Sequence, residues 1–259
     1  MTAHNSKARF SDRVADYVRY RPGYPDELLE TLQRVAGLTP TSVVADIGSG
    51  TGISANPFLQ RGCEVFGVEP NREMRLAAEE RFGHEPRFHS IDATAEATTL
   101  AGCSIDLIVA GQAFHWFDLE ATRREWLRIL KPEGWVALFW NNRRIDKPFL
   151  VAYEKLLLDF GTDYTEVNHT RLDHAALVEF FGGDAFQTFR FPYSQSFNFE
   201  GLKGRLLSSS YAPASGHPKH EPMLHELRRI FDANAVNDRV SFDYDTELSV
   251  GSLTRWSSG

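Results

Sequence analysis

One stretch of sequence decides the fold, VVADIGSGTG, which occupies residues 43–52. An apolar run interrupted only by Asp46 leads into three glycines at alternate positions, Gly48, Gly50 and Gly52. Glycines there let the backbone turn sharply and let a ligand approach the main chain closely. The pattern predicts a buried strand whose carboxyl end opens onto a nucleotide-type cofactor. The alternative, a tight strand-to-helix turn without a ligand, stays open at this point.

Downstream of this stretch, strand-length apolar runs alternate with helical segments, as in a parallel sheet with helices on both faces. The predicted strands are residues 42–47, 64–68, 87–91, 105–110 and 135–140. Helices are expected over residues 71–81 and 119–130, with a turn at residues 131–134 before the fifth strand. Such runs suit strands buried on both faces. The fold class is therefore α/β, a doubly wound Rossmann-like sheet.

The flanking segments predict a helical cap. Two helices separated by the Arg21–Pro25 turn are expected over residues 10–36, with Pro25 as the first residue of the second helix. After residue 142, helices are expected at 149–160, 174–181 and 221–231, and half-buried strands at 185–199 and 240–250. We expect these strands to close the mostly parallel sheet in antiparallel fashion. The predicted division is an N-terminal lid (1–38), a core (39–142), and cap insertions with closing strands (143–259).

Composition restricts the function classes. The chain has 259 residues, two cysteines and a net charge of −7. Two cysteines give neither a disulfide framework nor metal-ligand spacing, and a cytoplasmic location is expected. The acidic balance disfavours nucleic acid, and no apolar run is long enough for a membrane helix. His217, His220 and His225 lie near a Gly/Pro loop without H-E-x-x-H spacing, so no metal is expected.

The identity of the cofactor depends on charge and spacing. The glycines follow G-x-G-x-G rather than the dinucleotide spacing G-x-G-x-x-G, and no Gly-Lys-Ser/Thr follows. Asp46 would repel a phosphate but attract an ammonium group. S-adenosylmethionine carries an amino group and a sulfonium but no phosphate, so we expect it rather than NAD.

Further acidic and apolar residues follow the next two strands. Glu69 ends the second strand, where a carboxylate can accept both ribose hydroxyls, as it also does in dehydrogenases. Met74 is placed to pack on adenine or simply within a helix. Asp92 is placed to accept from the adenine amino group or to serve as a turn residue.

Five segments in this order carry a resemblance: VVADIGSGTG, VFGVEP, IDAT, IDLIVAGQAFHWFD and LRILKPEGWVALFW. Over residues 40–142 the chain resembles class I S-adenosylmethionine-dependent methyltransferases, in the small-molecule branch called type 11. AFHWFD and YRPGYP are similar to enzymes related to trans-aconitate methyltransferase. The Asn/Asp-Pro-Pro-aromatic motif of base N-methyltransferases is replaced by Gly111-Gln112-Ala113-Phe114-His115, which argues against nucleic-acid bases as acceptors.

The resemblance implies a set of cofactor contacts. The methionine end would lie on Asp46 and the Gly48, Ser49, Gly50, Thr51 and Gly52 backbone, the ribose on Glu69 beside Pro70 and Met74, and adenine between Asp92 and Ala93. Gly111, Gln112 and Ala113 would lie beneath the methionine moiety.

The acceptor side is predicted from the residues at the same edge of the sheet. His115 is the candidate general base or hydrogen-bond donor, with a structural role as the alternative, and Trp116 and Trp140 would line the cavity or fill the core. Arg21, Arg143 and Arg144 are candidates to bind a substrate carboxylate. Tyr20, next to Arg21, is a candidate substrate-binding residue, and the alternative is that Tyr17 and Tyr20 close over the cofactor.

The predicted function is methyl transfer from S-adenosylmethionine to a small molecule, as O-methylation of a carboxylic acid, with S-adenosylhomocysteine as product. A carboxylate acceptor needs no base but does need a cationic clamp. The alternatives are a non-catalytic regulator that binds S-adenosylmethionine and an NAD-dependent dehydrogenase.

Overall fold

Seven strands form one sheet in a computed structural model, which describes residues 19–164, 174–183 and 185–253. The strand order is β3-β2-β1-β4-β5-β7-β6. The strands are β1 (Val43–Ile47), β2 (Glu64–Val68), β3 (Phe88–Ile91), β4 (Ile105–Gly111), β5 (Leu130–Arg143), β6 (Phe186–Phe197) and β7 (Val240–Gly251). The first five strands are parallel, whereas β7 pairs antiparallel with both β5 and β6. The predicted fold class is confirmed.

Eight helices flank the sheet within the described residues. They are α1 (Asp26–Ala36), α2 (Ala55–Gln60), α3 (Arg72–Phe82), α4 (Leu119–Ile129), α5 (Pro148–Phe160), α6 (His174–Phe181), α7 (Phe199–Leu207) and α8 (His220–Asn234). Tyr17 and most of the predicted first helix lie outside the described residues. No described helix combines the length and apolar character that a membrane span needs.

Side-chain chemistry explains where several helices begin. Asn71 caps α3 by accepting from the Met74 amide at 3.0 Å, and Asp118 caps α4 by accepting from the Ala121 amide at 2.9 Å. Asn198 caps α7 in the same way, through the Gly201 amide at 3.0 Å. These caps satisfy amides that a helix start leaves without a partner.

Three apolar clusters hold these elements together. One face of the sheet packs on α1 and α2 through residues such as Leu32 and Phe58, and the other packs on α4 and α6 through Trp126 and Phe180. A third cluster, which includes Phe242, joins α5, α7 and α8 to the first residues of β7. The cap is therefore anchored to the antiparallel end of the sheet.

Strand β5 differs from the prediction at both ends. It begins at Leu130 instead of residue 135, because Leu130 pairs with Ile105 before the register shifts and Trp135 pairs with Leu107. The predicted turn at 131–134 is thus an irregularity inside the strand. The strand also runs past residue 140 to Arg143, which pairs with Tyr244 of β7.

This extension shapes the edge where a ligand would bind. The last pair between β4 and β5 joins Gly111 to Phe139, and β5 then continues with residues 140–143. At about 3.3 Å per residue, the extension projects roughly 13 Å beyond the end of β4. Paired with β7, it forms a wall above the carboxyl ends of the parallel strands.

The segment of residues 20–25, here called the strap, crosses this edge and is fastened to both sides. Asn141 donates to the Gly23 carbonyl at 2.9 Å, and Arg21 donates to the Ser208 carbonyl at 3.0 Å. Tyr20 packs so closely on α7 that a Cβ at Gly204 would lie 2.0 Å from its ring. The strap therefore joins the sheet to the cap.

Candidate active site

The glycine loop after β1 has the left-handed geometry that its glycines permit. Gly48, Gly50 and Gly52 have φ values of 70°, 55° and 77°. A Cβ at Gly48 would lie 2.6 Å from the Ala113 side chain, and one at Gly52 would lie 2.3 Å from the Phe82 ring. At Gly50 a Cβ would meet no atom within 4 Å. Gly48 and Gly52 thus allow close packing, whereas Gly50 faces open space in which a ligand fits.

This contrast gives a matched pair of predictions. Gly48→Ala is expected to destabilise the fold by about 2–3 kcal/mol, because left-handed strain adds to overpacking. Gly50→Ala is expected to cost only about 1 kcal/mol of strain but to weaken S-adenosylhomocysteine binding at least tenfold, because its methyl group occupies the ligand's space. Chemical denaturation and calorimetric titration measure the two effects. Equal binding by Gly50→Ala and the unmodified chain would show that no cofactor lies against this loop.

Asp46 is a buried carboxylate at the end of β1. It is 0% exposed, and its Oδ2 accepts a hydrogen bond from Ser54 at 2.7 Å. Its Oδ1 has no hydrogen-bond partner among the described residues. Burial raises the pKa of Asp46 to about 7; the Ser54 hydrogen bond acts against this increase, and the nearby charge of Glu69 adds to it. Asp46 Oδ1 can therefore accept a hydrogen bond from an ammonium group of a ligand at the glycine loop.

Glu69 links the two loops that follow β1 and β2. Its carboxylate accepts from the amides of Gly50 at 2.9 Å and Asn71 at 2.7 Å. Each carboxylate oxygen has further lone pairs, so ribose hydroxyls remain acceptable partners. Farther along this edge, Met74 and Ala93 are buried, Pro70 is half-buried, and Asp92 forms a 2.7 Å ion pair with Arg75. The contacts expected of these residues with ribose and adenine stay predictions.

A cavity of about 640 Å³ lies above the ends of β1, β4 and β5 and beneath the cap. The predicted site residues that line it are Arg21, Gly48, Ser49, Gly50, Thr51, Gly111, Gln112, His115, Trp116, Trp140 and Arg143. The predicted site residues that do not line it are Tyr20, Asp46, Gly52, Glu69, Pro70, Met74, Asp92, Ala93, Ala113 and Arg144. Ser54 lines the cavity and donates to Asp46, so the carboxylate lies directly behind the cavity wall.

His115 occupies the short 3₁₀ turn Phe114–Trp116, between β4 and α4. Its ring centroid lies 4.7 Å from that of Trp116. Burial lowers the pKa of His115 to about 4, so the imidazole is neutral at neutral pH. It can accept or donate a hydrogen bond there, but it adds no positive charge to the cavity.

Arg205 of α7 also lines the cavity and was not predicted from the sequence. It is 5% exposed and donates to the Tyr244 hydroxyl at 3.3 Å and to the Ser209 hydroxyl at 3.2 Å. Its guanidinium lies over the Phe242 ring at 5.3 Å. No carboxylate of the described residues forms an ion pair with it. Arg205 is therefore a buried cation held by neutral groups.

Arg143 differs from Arg205 because it has a counter-ion. It is bonded through Nη2 to the Glu154 carboxylate and to the Tyr164 hydroxyl, the latter at 2.8 Å. Tyr164 in turn donates to Glu154 at 2.7 Å. Among the described residues that line the cavity, Glu154 is the sole carboxylate, against the guanidinium groups of Arg21, Arg143 and Arg205.

Arg144 directly follows the last residue of β5 and does not line the cavity. Its side chain pairs with Asp146 in an exposed position, and its amide donates to the Asp243 carbonyl at 2.9 Å. Tyr20 packs on α7, as described above. The structure thus separates Arg144 from Arg21 and Arg143. Sequence reasoning missed five residues that line the cavity and come from the cap and the closing strand: Glu154, Tyr164, Arg205, Tyr211 and Tyr244.

Comparisons with known proteins relate the chain to methyltransferases in sequence and fold. Residues 45–138 match the family model described as a methyltransferase domain. The chain is 27% identical to an uncharacterised methyltransferase-like protein of Schizosaccharomyces pombe over 92% of each chain. A putative methyltransferase structure from Anaeromyxobacter dehalogenans superposes with a TM-score of 0.67 at 21% identity, covering 90% of this chain and 98% of that one.

A further solved structure contains a cofactor product. Haemonchus contortus phosphoethanolamine N-methyltransferase 2, in complex with S-adenosylhomocysteine, matches with a TM-score of 0.55 at 14% identity, over 93% of this chain and 57% of that one. This neighbour and the Anaeromyxobacter structure share the fold of this chain. Residues 45–138 are a methyltransferase domain by the family match, within a chain whose whole fold is that of these solved methyltransferases.

Proposed function

We propose that the chain is an S-adenosylmethionine-dependent methyltransferase that methylates a carboxylate oxygen of a small anionic molecule. The observation that carries the proposal is Arg205, a buried guanidinium in the cavity without a carboxylate partner among the described residues. A buried charge without a counter-ion costs several kcal/mol. A substrate carboxylate would offset that cost, because it matches the guanidinium fork with two hydrogen bonds.

The charge balance of the cavity supports an acid over an amine. Glu154 neutralises Arg143, which leaves the charge of Arg205 to act on a ligand. A cationic acceptor would find Glu154 already engaged and the Arg205 guanidinium opposing it. An anion gains from the charge of Arg205. The expected preference for acids also agrees with the resemblance to enzymes related to trans-aconitate methyltransferase.

The size of the cavity supports a small acceptor. About 640 Å³ lies within the range of small-molecule sites, and part of it would hold the methionine end of the cofactor. Trp116 and Trp140 provide apolar wall near the cofactor edge, while the arginines line the cap side. We therefore expect an acid with an apolar or unsaturated body and not a polymer.

The chain's contribution to the reaction is positioning. When bound, S-adenosylmethionine supplies a methyl group already activated by the sulfonium. A carboxylate is ionised at neutral pH and needs no proton removed, so neutral His115 would serve as a hydrogen-bond partner and not as an obligatory base. The arginines would orient the acceptor, and such alignment supplies about 7–11 kcal/mol of barrier lowering.

A charge-fractionated extract tests the proposal. Small-molecule extracts are separated by ion exchange into anionic, neutral and cationic fractions, and each is incubated with the enzyme and methyl-labelled S-adenosylmethionine. We expect label to be transferred to the anionic fraction. A product found only in the cationic or neutral fraction would overturn the proposed acceptor class. Heat-treated enzyme gives the background.

A further inference from the structure

Tyr211 lines the cavity that also contains the guanidinium groups of three arginines. It follows α7 and lines the same cavity as Arg21, Arg143 and Arg205. Its ring packs edge-on against Tyr164, with centroids 4.9 Å apart at 70°. Its carbonyl accepts from the Thr162 amide at 3.0 Å, which holds the backbone in place. These contacts hold Tyr211 in the wall of the cavity that the arginines line.

We propose that the Tyr211 hydroxyl controls acceptor binding by changing its protonation state. In the free enzyme the phenolate balances the positive charge of the arginines. When the acceptor anion binds, the phenolate takes up a proton. The inference rests on the proposed function for the charge of the acceptor. The one bond that forms is the O–H bond of Tyr211, whose proton comes from solvent, and the acceptor takes over as the counter-ion. Tyr211 thereby makes acceptor binding depend on pH.

The electrostatic surroundings support this role. Burial acts to raise the pKa of Tyr211, but the charges of Arg205, Arg21 and Arg143 and a hydrogen bond with Ser209 outweigh it and lower the pKa. The other groups that act on it or on these arginines are Tyr153, Tyr164, Tyr244 and Glu154. Burial raises the pKa of Tyr153 and of Tyr164, so both stay protonated. Of Tyr153, Tyr164 and Tyr211, it is Tyr211 whose pKa lies below its ordinary value.

The coupling between acceptor binding and protonation of Tyr211 predicts how the acceptor affinity changes with pH. Above the pKa of Tyr211 in the free enzyme, an acceptor anion must compete with the phenolate and bring a proton with it. Its affinity then falls by up to about tenfold per pH unit as the pH rises. Tyr211→Phe cannot form the phenolate, so its affinity stays constant over the same range.

Ultraviolet titration of phenolate formation tests the inference without any substrate. The unmodified enzyme is expected to show one tyrosine that ionises at lower pH than the others, and Tyr211→Phe is expected to lose it. Tyr193→Phe, a substitution outside the cavity lining, is the matched control and should retain it. Arg205→Met should move this ionisation to higher pH, which gives a second readout if Tyr211→Phe folds poorly. If no tyrosine ionises early, or if Tyr211→Phe retains the early one, the inference is wrong.

Calorimetric titration with succinate as a carboxylate probe separates this inference from the proposed function. In two buffers of different ionisation enthalpy, above the Tyr211 midpoint, the unmodified enzyme should take up about one proton per succinate bound. Tyr211→Phe should bind without proton uptake. Binding without proton uptake in the unmodified enzyme would overturn the role of Tyr211 and leave the acid class standing. Early ionisation of Tyr211 with no succinate binding would instead support the phenolate state of Tyr211 in the free enzyme. It would count against a simple carboxylate as the acceptor.

Discussion

Arg205→Met is expected to raise the KM for the acceptor by about 100-fold and to leave the fold at least as stable as before. The guanidinium is buried among hydroxyl groups and the Phe242 ring, with no carboxylate partner in the described part of the chain. Replacing such a charge by an apolar side chain of similar volume is commonly neutral or stabilising. The loss of a charged hydrogen-bonded contact with the acceptor costs about 2–5 kcal/mol. Activity and stability should therefore change in opposite directions.

Steady-state kinetics and thermal unfolding of the same variant measure both effects. Arg123→Met is the matched control, because Arg123 is also buried but donates to the Phe180 carbonyl at 2.6 Å and does not line the cavity. It should lose stability with an unchanged acceptor KM. An Arg205→Met variant that is destabilised but keeps its acceptor KM would assign Arg205 to the fold and not to the substrate.

Asp46→Asn is expected to weaken S-adenosylhomocysteine binding by about 10–150-fold at pH 8. This isosteric change keeps an oxygen for Ser54 but removes the charge that would attract the ammonium group of the cofactor. A hydrogen bond to a charged group contributes about 1.5–3 kcal/mol. Calorimetric titration of S-adenosylhomocysteine measures the loss. Asp106→Asn, which alters a carboxylate paired with Lys131 away from the cavity, should bind normally.

The pH dependence of that binding has a predicted direction. Because the pKa of Asp46 is raised from 3.8 to about 7, the carboxyl is protonated below about 7 in the free enzyme. An ammonium ligand favours the ionised form, so affinity should rise with pH, by up to about tenfold per unit, and level off above 7. Asp46→Asn should lack this rise. An unchanged slope in the variant would assign the titration to another group.

The raised pKa of Asp46 also makes the free energy of unfolding depend on pH. This dependence runs opposite to that of cofactor binding: stability falls as the pH rises. Between pH 3.8 and about 7 the folded chain holds a proton on Asp46 that the unfolded chain has released. Its contribution to the free energy of unfolding is therefore complete below 3.8 and is lost as the pH rises through about 7. The cofactor should restore stability most strongly at the alkaline end of this window.

The parallel core was predictable from the sequence because its information is local. Strands β1, β2, β3 and β4 lie within one residue of their predicted bounds, since each is a short apolar run ended by turn residues. The bounds of strand β5 were not predictable, because Pro132 and Gly134 by themselves indicate a turn. Only the pairing of Leu130 with Ile105, and of Arg143 with Tyr244, shows that the strand continues on both sides.

The acceptor side was harder because it depends on register and on distant segments. Arg143 and Arg144 are adjacent, and a strand alternates its faces, so only one of them can line the cavity. The sequence does not say which, and in the structure it is Arg143. Arg205 gave no local signal: it lies on a short amphipathic helix, and its partners Tyr244 and Phe242 come from β7, far along the chain. An arginine on the apolar face of a cap helix is the feature that sequence reasoning could have weighed.

The most direct test of the central claim is the chemical stability of the methylated product. The labelled product from the extract is treated with mild alkali, and the volatile radioactivity is measured. We predict that the label is released as methanol, because a methyl ester hydrolyses under these conditions. Label that stays in the product after alkali would mean an N-, C- or ether-methyl group, and would contradict the assignment of the arginine-lined cavity to a carboxylate acceptor.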